Sequence, residues 1–415
     1  MLTDFFEWHS VLRRLRAGCT GAHVDGFADA LVEAGYSPRT IRGYLRAVAH
    51  FGRWADGVGM SLAEVSEAEL PRFVRHLRTR RRFKRGKGRL GDAERGVRVF
   101  IEHLRRVGLI APPPAAADAP RCPVVASFRA WMERHRGLTS VTLDVYERAL
   151  RPFFAAIGTD PDAYDVARLR SFVIDHAKPL GVSRARLLVT ALRSLLRFLA
   201  VEGRCPPGLD RAVPAVPQYR LSSLPRYLEA AVVAQVLASC DTTKPAGLRD
   251  RAVLLLLARL GLRAGDIVAM RFDDIDWRAA TLLVRGKGRR DVLLPLPQDV
   301  GNALLAYLRR GRPRVDLDKV FITARPPYHS LVYSAAVSNI VGDALQRAGV
   351  RSAASHGAHL MRHSAATAML RAGCTLETIA KVLRHRSVET TAHYAKVDLT
   401  LLQSITQPWP EGLSC

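Results

Sequence analysis

Four separated pieces of this sequence carry side chains that can act together on one negatively charged group. They are Gly261-Leu262-Arg263-Ala264-Gly265-Asp266, Gly286-Lys287-Gly288, His359-Leu360-Met361-Arg362-His363-Ser364, and Leu383-Arg384-His385 followed nine residues later by Tyr394. A phosphodiester carries one negative charge, and attack on it builds more on its equatorial oxygens. Arg263 and Arg362 suit such a group, because each guanidinium offers paired planar donors and never deprotonates. A phenol is a feeble nucleophile at its ordinary pKa of about 10. It becomes useful when cations lower that pKa and a base takes its proton, and His359, three residues before Arg362 on one helical face, is the expected base. Lys287, at the tip of a glycine-flanked turn, can hand a proton to the departing oxygen, the glycines permitting a tight turn and close approach. His385 is expected to hydrogen-bond a non-bridging oxygen of the transition state.

Each piece alone is weak, and each has a plainer reading. Arg263 can be an ordinary cation at a helix C-terminus. Lys287 can be solvated, with Arg289 and Arg290 as partial substitutes, and its GKG lacks the spacing of a phosphate-binding P-loop. His356, His359, His363 and His385 suggest a metal site, with His359 and His363 at zincin spacing. That helix reads HLMRH, without the glutamate base, so no metal is expected. His363 is expected to pack behind the site. Tyr307, Tyr328 and Tyr333 are alternative phenols, but none follows a Leu-x-His piece at this spacing.

Taken together, in this order and at these distances, the pieces resemble the tyrosine recombinase, or phage integrase, family, including its Xer-type recombinases. The resemblance covers residues 225–405 and extends through a helical stretch at 123–205 that looks like the family's core-binding domain. It implies that Arg263, Lys287, His359, Arg362 and His385 surround a DNA phosphate and that Tyr394 is the nucleophile, forming a covalent 3′-phosphotyrosine without ATP or metal. Met361 stands where the family's His-x-Leu-Arg motif has leucine, a volume-conserving change. The resemblance also implies two double-stranded recombination sites as partners and a tetramer on DNA, of this chain alone or with sibling recombinases, in integration, excision or transposition of a mobile element. The competing expectations are a DNA-binding protein that does not cut and a relaxing topoisomerase of the same chemistry. An intact six-residue set argues against the former, and a doubled helical region offering more surface for sequence recognition argues against the latter.

The rest of the chain must hold these pieces in place. Its 415 residues include 63 Lys+Arg against 38 Asp+Glu, a formal charge of +25, with 48% hydrophobic residues and a mean hydropathy of +0.00. That is a globular composition with a surface that attracts polyanions. No apolar run approaches the roughly 20 residues of a membrane span, the N-terminus lacks a signal peptide's apolar stretch, and a cytoplasmic protein without a membrane partner is expected. The six cysteines, Cys19, Cys122, Cys205, Cys240, Cys374 and Cys415, form no C-x-x-C pair and are expected as reduced thiols without a chemical role.

Two proline-rich stretches, around 110–123 and 204–226, read as linkers and divide the chain into an extra N-terminal helical domain (1–111), a core-binding helical domain (120–208) and a catalytic domain (222–415). The first two read as copies of one unit of about four helices. Setting Tyr44 against Tyr146 also aligns Thr40 with Thr142 and Phe51 with Phe153. Further on, Phe73 matches Phe172, and Val97, Phe100, Ile101 and Leu104 match Leu192, Leu195, Leu196 and Leu199. The first copy carries the run Arg78 to Arg89, eight Lys/Arg without an acid. Arg80, Arg81, Arg82, Lys84, Arg85 and Lys87 of that run are the expected phosphate-contacting residues. The last part reads as two helices over 229–262, a hairpin of Thr281 to Val284 and Asp291 to Leu296, then helices from Gln298, Leu331, Leu360, Thr375 and Ser387. The expected fold class is mainly α with a small β-sheet: two small helical DNA-binding domains followed by a mixed α/β, mostly helical, catalytic domain.

Overall fold

Helix signals in the sequence account for most of what the chain forms. The computed structural model describes residues 2–79, 90–111, 122–217, 226–285, 291–351, 356–385, 387 and 389–397. The chain divides into two compact units, Met1–Ile110 with Leu221–Cys415, and Ala111–Arg220.

In the first unit the N-terminal stretch forms α1 (His9–Leu15), α2 (Val24–Glu33), α3 (Pro38–Gly57), α4 (Leu70–Thr79) and α5 (Leu90–Arg106). Ser37 caps α3 by accepting the Thr40 N–H at 3.3 Å, and Pro38 fills the first turn, where no N–H is needed. The buried face of α3, with Ile41, Tyr44, Val48 and Phe51, shares a core with Val97, Phe100, Ile101 and Leu104 of α5. A side chain at Gly96 would begin 2.9 Å from the Tyr44 ring, so a glycine lets these two helices approach. Arg80 to Arg89, including the expected DNA contacts Arg80, Arg81, Arg82, Lys84, Arg85 and Lys87, lie outside the described residues.

The second unit forms α6 (Pro123–Arg136), α7 (Ser140–Ile157), α8 (Val166–Ala177), α9 (Val182–Val201) and α10 (Leu209–Ala212) around a core of its own. Several positions aligned by sequence are buried in both stretches, although Tyr44 is buried and Tyr146 only partly so. Phe51 and Phe153, Val48 and Leu150, Phe73 and Phe172, and the four apolar positions shared by α5 and α9 are all buried. Even the helix starts repeat, with hydroxyl pairs Ser37–Thr40 at 2.9 Å and Thr139–Thr142 at 3.1 Å. The stretch after α9, expected to be an extended linker, instead packs. Cys205, Leu209 and Val213 are buried in the same core, and Arg193 donates to the Val213 carbonyl at 2.7 Å. Apolar residues between the prolines outweighed the prolines' preference for extended chain.

Residues 226–397 form α11 (Ala230–Ala238), α12 (Pro245–Leu260), α13 (Ala264–Ala269), an antiparallel sheet of β1 (Ile275–Asp276), β2 (Thr281–Val284) and β3 (Val292–Pro295), then α14 (Gln298–Ala306), α15 (Ser334–Arg347), α16 (Ala358–Arg371), α17 (Leu376–Leu383) and α18 (Glu389–Ala392). The expected hairpin is β2–β3, in the register Thr281 to Pro295 and Val284 to Val292. The two-residue β1 was not foreseen. Helix α12 is the axis of this region: Ala252 to Leu257 are all at most 2% exposed. Burying each such leucine or valine contributes about 1.5–3 kcal/mol, which fixes the C-terminal end of α12 and whatever is attached to it. Among the described residues no helix is long and apolar enough to cross a membrane.

Candidate active site

The first piece begins where α12 stops. Gly261 ends the helix at φ +57°, the left-handed conformation that favours glycine. Arg263 follows in extended backbone, and Asp266 accepts its main-chain N–H at 2.8 Å, starting α13. The third piece lies on α16, which supplies His359, Arg362 and His363. Arg362 is 5% exposed and joins the pieces physically: it donates to the carbonyl of Gly261 and to that of Leu383, at the end of α17. Burial, and after it the charge of Arg263, pushes its pKa down to about 10, still protonated at neutral pH.

The fourth piece turns back at Arg384. Its carbonyl accepts a hydrogen bond from Arg263 Nη2 at 2.9 Å, and its guanidinium pairs with Asp266. His385 follows, with Nδ1 2.7 Å from Thr391 Oγ1. Arg263, His359, Arg362 and His385 therefore line a single cleft of about 1460 Å³. Desolvation, then the guanidiniums of Arg362 and Arg263, lower both imidazoles, His385 to about 4, so both are neutral at pH 7. Arg285 and Val292, at the inner ends of the hairpin, also line the cleft. Lys287, between them, lies outside the described residues.

Tyr394 is close to this group but set apart from the cleft. Its ring is 2% exposed and packs with Ala366, Leu370, Ile379 and Leu383. It stacks on His385, with centroids 6.4 Å apart and planes 8° from parallel. Its hydroxyl lies 2.7 Å from His363 Nδ1. Here the structure departs from expectation in two ways. The partner of the phenol is His363, expected only to pack behind the site, and not His359. Burial moreover pushes the Tyr394 pKa up to about 12, against a smaller opposing effect of Arg362, so the phenol is held protonated. Burial likewise lowers His363 to about 4, a neutral imidazole able to accept from the phenol. Among the described residues no three His, Cys, Asp or Glu side chains gather as a metal site. Asp266, Arg384 and Thr391 are the supporting residues that sequence reasoning missed. The basic residue inside the Leu-x-His piece was the available signal for Arg384.

Comparison with known proteins identifies the family of the chain. The phage integrase family model matches residues 226–400, and the model for the phage integrase N-terminal SAM-like domain matches 24–105, the region the catalytic resemblance explained least. The Sinorhizobium fredii protein named integrase/recombinase y4rA is 36% identical over 408 residues, covering 96% of this chain and 97% of its own. Tyrosine recombinase XerD of Mycobacterium tuberculosis is 34% identical over 295 residues, 65% of this chain and 91% of that one. Among solved structures, the XerH site-specific recombinase bound to its difH substrate has a TM-score of 0.54 at 20% identity, covering 68% of this chain and 83% of that one. A lambda integrase tetramer bound to a Holliday junction has a TM-score of 0.53 at 15% identity, covering 72% and 85%.

Proposed function

Because the chain belongs to the tyrosine recombinase (phage integrase) family, we propose that it cleaves and rejoins DNA at specific sites through a covalent 3′-phosphotyrosine at Tyr394, in the integration, excision or transposition of a mobile element. The gathering of Arg263, His359, Arg362 and His385 on one cleft, with Tyr394 stacked on His385, is the observation that carries this proposal.

The guanidiniums of Arg263 and Arg362 hold the non-bridging oxygens of the scissile phosphate and stabilise the charge that attack builds on them. His385 donates to the same oxygens. Tyr394 leaves its pocket for the cleft, where His359, neutral and exposed there, takes the phenolic proton. The phenolic oxygen bonds to phosphorus, the bond to the 5′-oxygen breaks, and Lys287 protonates the leaving oxygen. The phosphotyrosine stores the bond energy, so a 5′-hydroxyl from a second duplex can reverse the step without ATP.

We assign three domains, 1–111, 120–208 together with the packed stretch that follows it as far as Val213, and 222–415. The two helical ones and the basic run at 78–89 grip the DNA backbone, and the active species is a tetramer on two sites, formed by this chain alone or with sibling recombinases. The XerH and lambda integrase structures, solved on DNA and in one case as a tetramer, support this partner assignment by analogy of fold.

The test is a nicked suicide duplex bearing the native site. The wild-type chain is expected to become linked to a 3′ end, and Tyr394→Phe to form no adduct. Absence of a wild-type adduct overturns the catalytic proposal, and an adduct without two-site strand exchange favours a relaxing topoisomerase.

A further inference from the structure

Arg384 stands where the backbone favours glycine. It ends α17 at φ +54° and ψ +48°, a left-handed conformation that strains any side chain and costs glycine nothing. Its contacts indicate why an arginine is there. Its carbonyl holds Arg263 Nη2 at 2.9 Å, across 121 residues of sequence. Its guanidinium pairs with Asp266 Oδ2, and the same oxygen accepts the Arg263 main-chain N–H at 2.8 Å. Arg263 is thus held by its backbone through Asp266 and by its guanidinium through the Arg384 main chain.

The same pair sets the charge of the cleft wall. Asp266 lines the cleft beside Arg263, and an unpaired carboxylate there would compete with a phosphate for Arg263 and repel it. Arg384, its side chain 7% exposed, engages that carboxylate. An arginine kept only to hold the fold would spend its donors on neighbours. The buried Nε and Nη1 of Arg384 find no hydrogen-bond partner among the described residues, and Asp266 is the side-chain partner its guanidinium does engage.

We propose that Arg384 is the positioning residue of Arg263, fixing its place and neutralising Asp266 so that Arg263 meets the phosphate and not the carboxylate. The inference rests on the recombinase proposal above. Its test is single-turnover cleavage of the suicide duplex by the full chain, with DNA affinity and thermal stability measured alongside. Arg384→Gly relieves the backbone, offsetting part of the cost of leaving Asp266 unpaired, so it is expected to stay folded with a modestly lower Tm and to keep its DNA affinity while cleavage falls about 100-fold, the scale of a misplaced site group. Arg384→Lys, which keeps the charge, is expected to recover about tenfold of that loss, and so is Arg384→Gly combined with Asp266→Asn, which removes the carboxylate. Wild-type cleavage by Arg384→Gly, or a double variant no better than the single one, overturns the proposal. Should Arg384→Gly unfold, Arg384→Lys and Asp266→Asn/Arg384→Lys carry the same comparison. If the wild-type chain forms no adduct, the recombinase proposal fails separately. Arg384 is then judged by the thermal shift that inorganic phosphate produces: smaller in Arg384→Gly and restored in the double variant as expected, or equal in all three and contradictory.

Discussion

The cleft and the pocket behind it meet at Arg362 and have opposite characters. The cleft is lined by Arg263, Arg285, Lys381 and Arg384 as well as Arg362, and its surroundings favour negative charge. The pocket is apolar, closed by Ala366, Leu370, Ile379 and Leu383, and holds a phenol whose pKa is pushed up to about 12 against a neutral imidazole. On the proposed mechanism a phosphate and a protonated tyrosine are provided for in separate compartments. Activation of the nucleophile is then a change of surroundings: moved from the pocket into the cleft, the same phenol would pass from a site that raises its pKa to one whose cations lower it.

Removing the shared wall is expected to have the largest effect. Arg362→Ala leaves the carbonyls of Gly261 and Leu383 without their buried donor, a cost of about 1–3 kcal/mol for each. It should lower Tm and reduce cleavage by about 10³-fold or more, read by calorimetry and single-turnover assay. Next comes the cleft alone. Arg263→Ala is expected to lose about 10²–10³-fold in cleavage while DNA affinity changes little, since phosphate contacts elsewhere carry binding. The pocket alone should respond differently: His363→Ala removes the phenol's partner, costs about 1 kcal/mol, and moves the Tyr394 midpoint down from about 12. Tyrosinate absorbance of His363→Ala against His363→Ala/Tyr394→Phe measures that shift.

Why the pocket was harder to foresee than the cleft lies in the distances involved. Arg263, His359, Arg362 and His385 were legible because the four pieces, weak one by one, together resemble the tyrosine recombinase family. The hairpin was legible from its glycine-flanked tip, and the helical repeats from apolar periodicity. The His363–Tyr394 bond spans 31 residues and the Arg384–Asp266 pair 118. Both depend on how α13, α16 and α17 pack, which no local pattern states. Strand β1, of two residues, and the packed turn at Leu209 are too short for periodicity to mark.

The neutral imidazoles give a smaller, pH-dependent contrast. His363 and His385 are both depressed to about 4 from 6.5, so as pH falls the unfolded chain binds protons before the folded one does. Stability is expected to be complete above pH 6.5 and to decline between pH 6.5 and 4. His363→Gln should decline less steeply in thermal unfolding across that range. Smallest for the chemistry is salt. DNA affinity should fall linearly in log–log terms, and alanine at Arg80, Arg81, Arg82, Lys84, Arg85 and Lys87 should flatten that slope by up to about 5 while leaving the cleavage rate of bound DNA unchanged.

The central claim, that the phenol stored behind Arg362 is the group that attacks DNA, is tested most directly by locating the covalent bond. Adduct trapped on the suicide duplex, digested with nuclease and trypsin, is expected to carry its residual nucleotide on the peptide Ser387–Lys396, which contains a single tyrosine, Tyr394. A nucleotide on any other peptide contradicts the account.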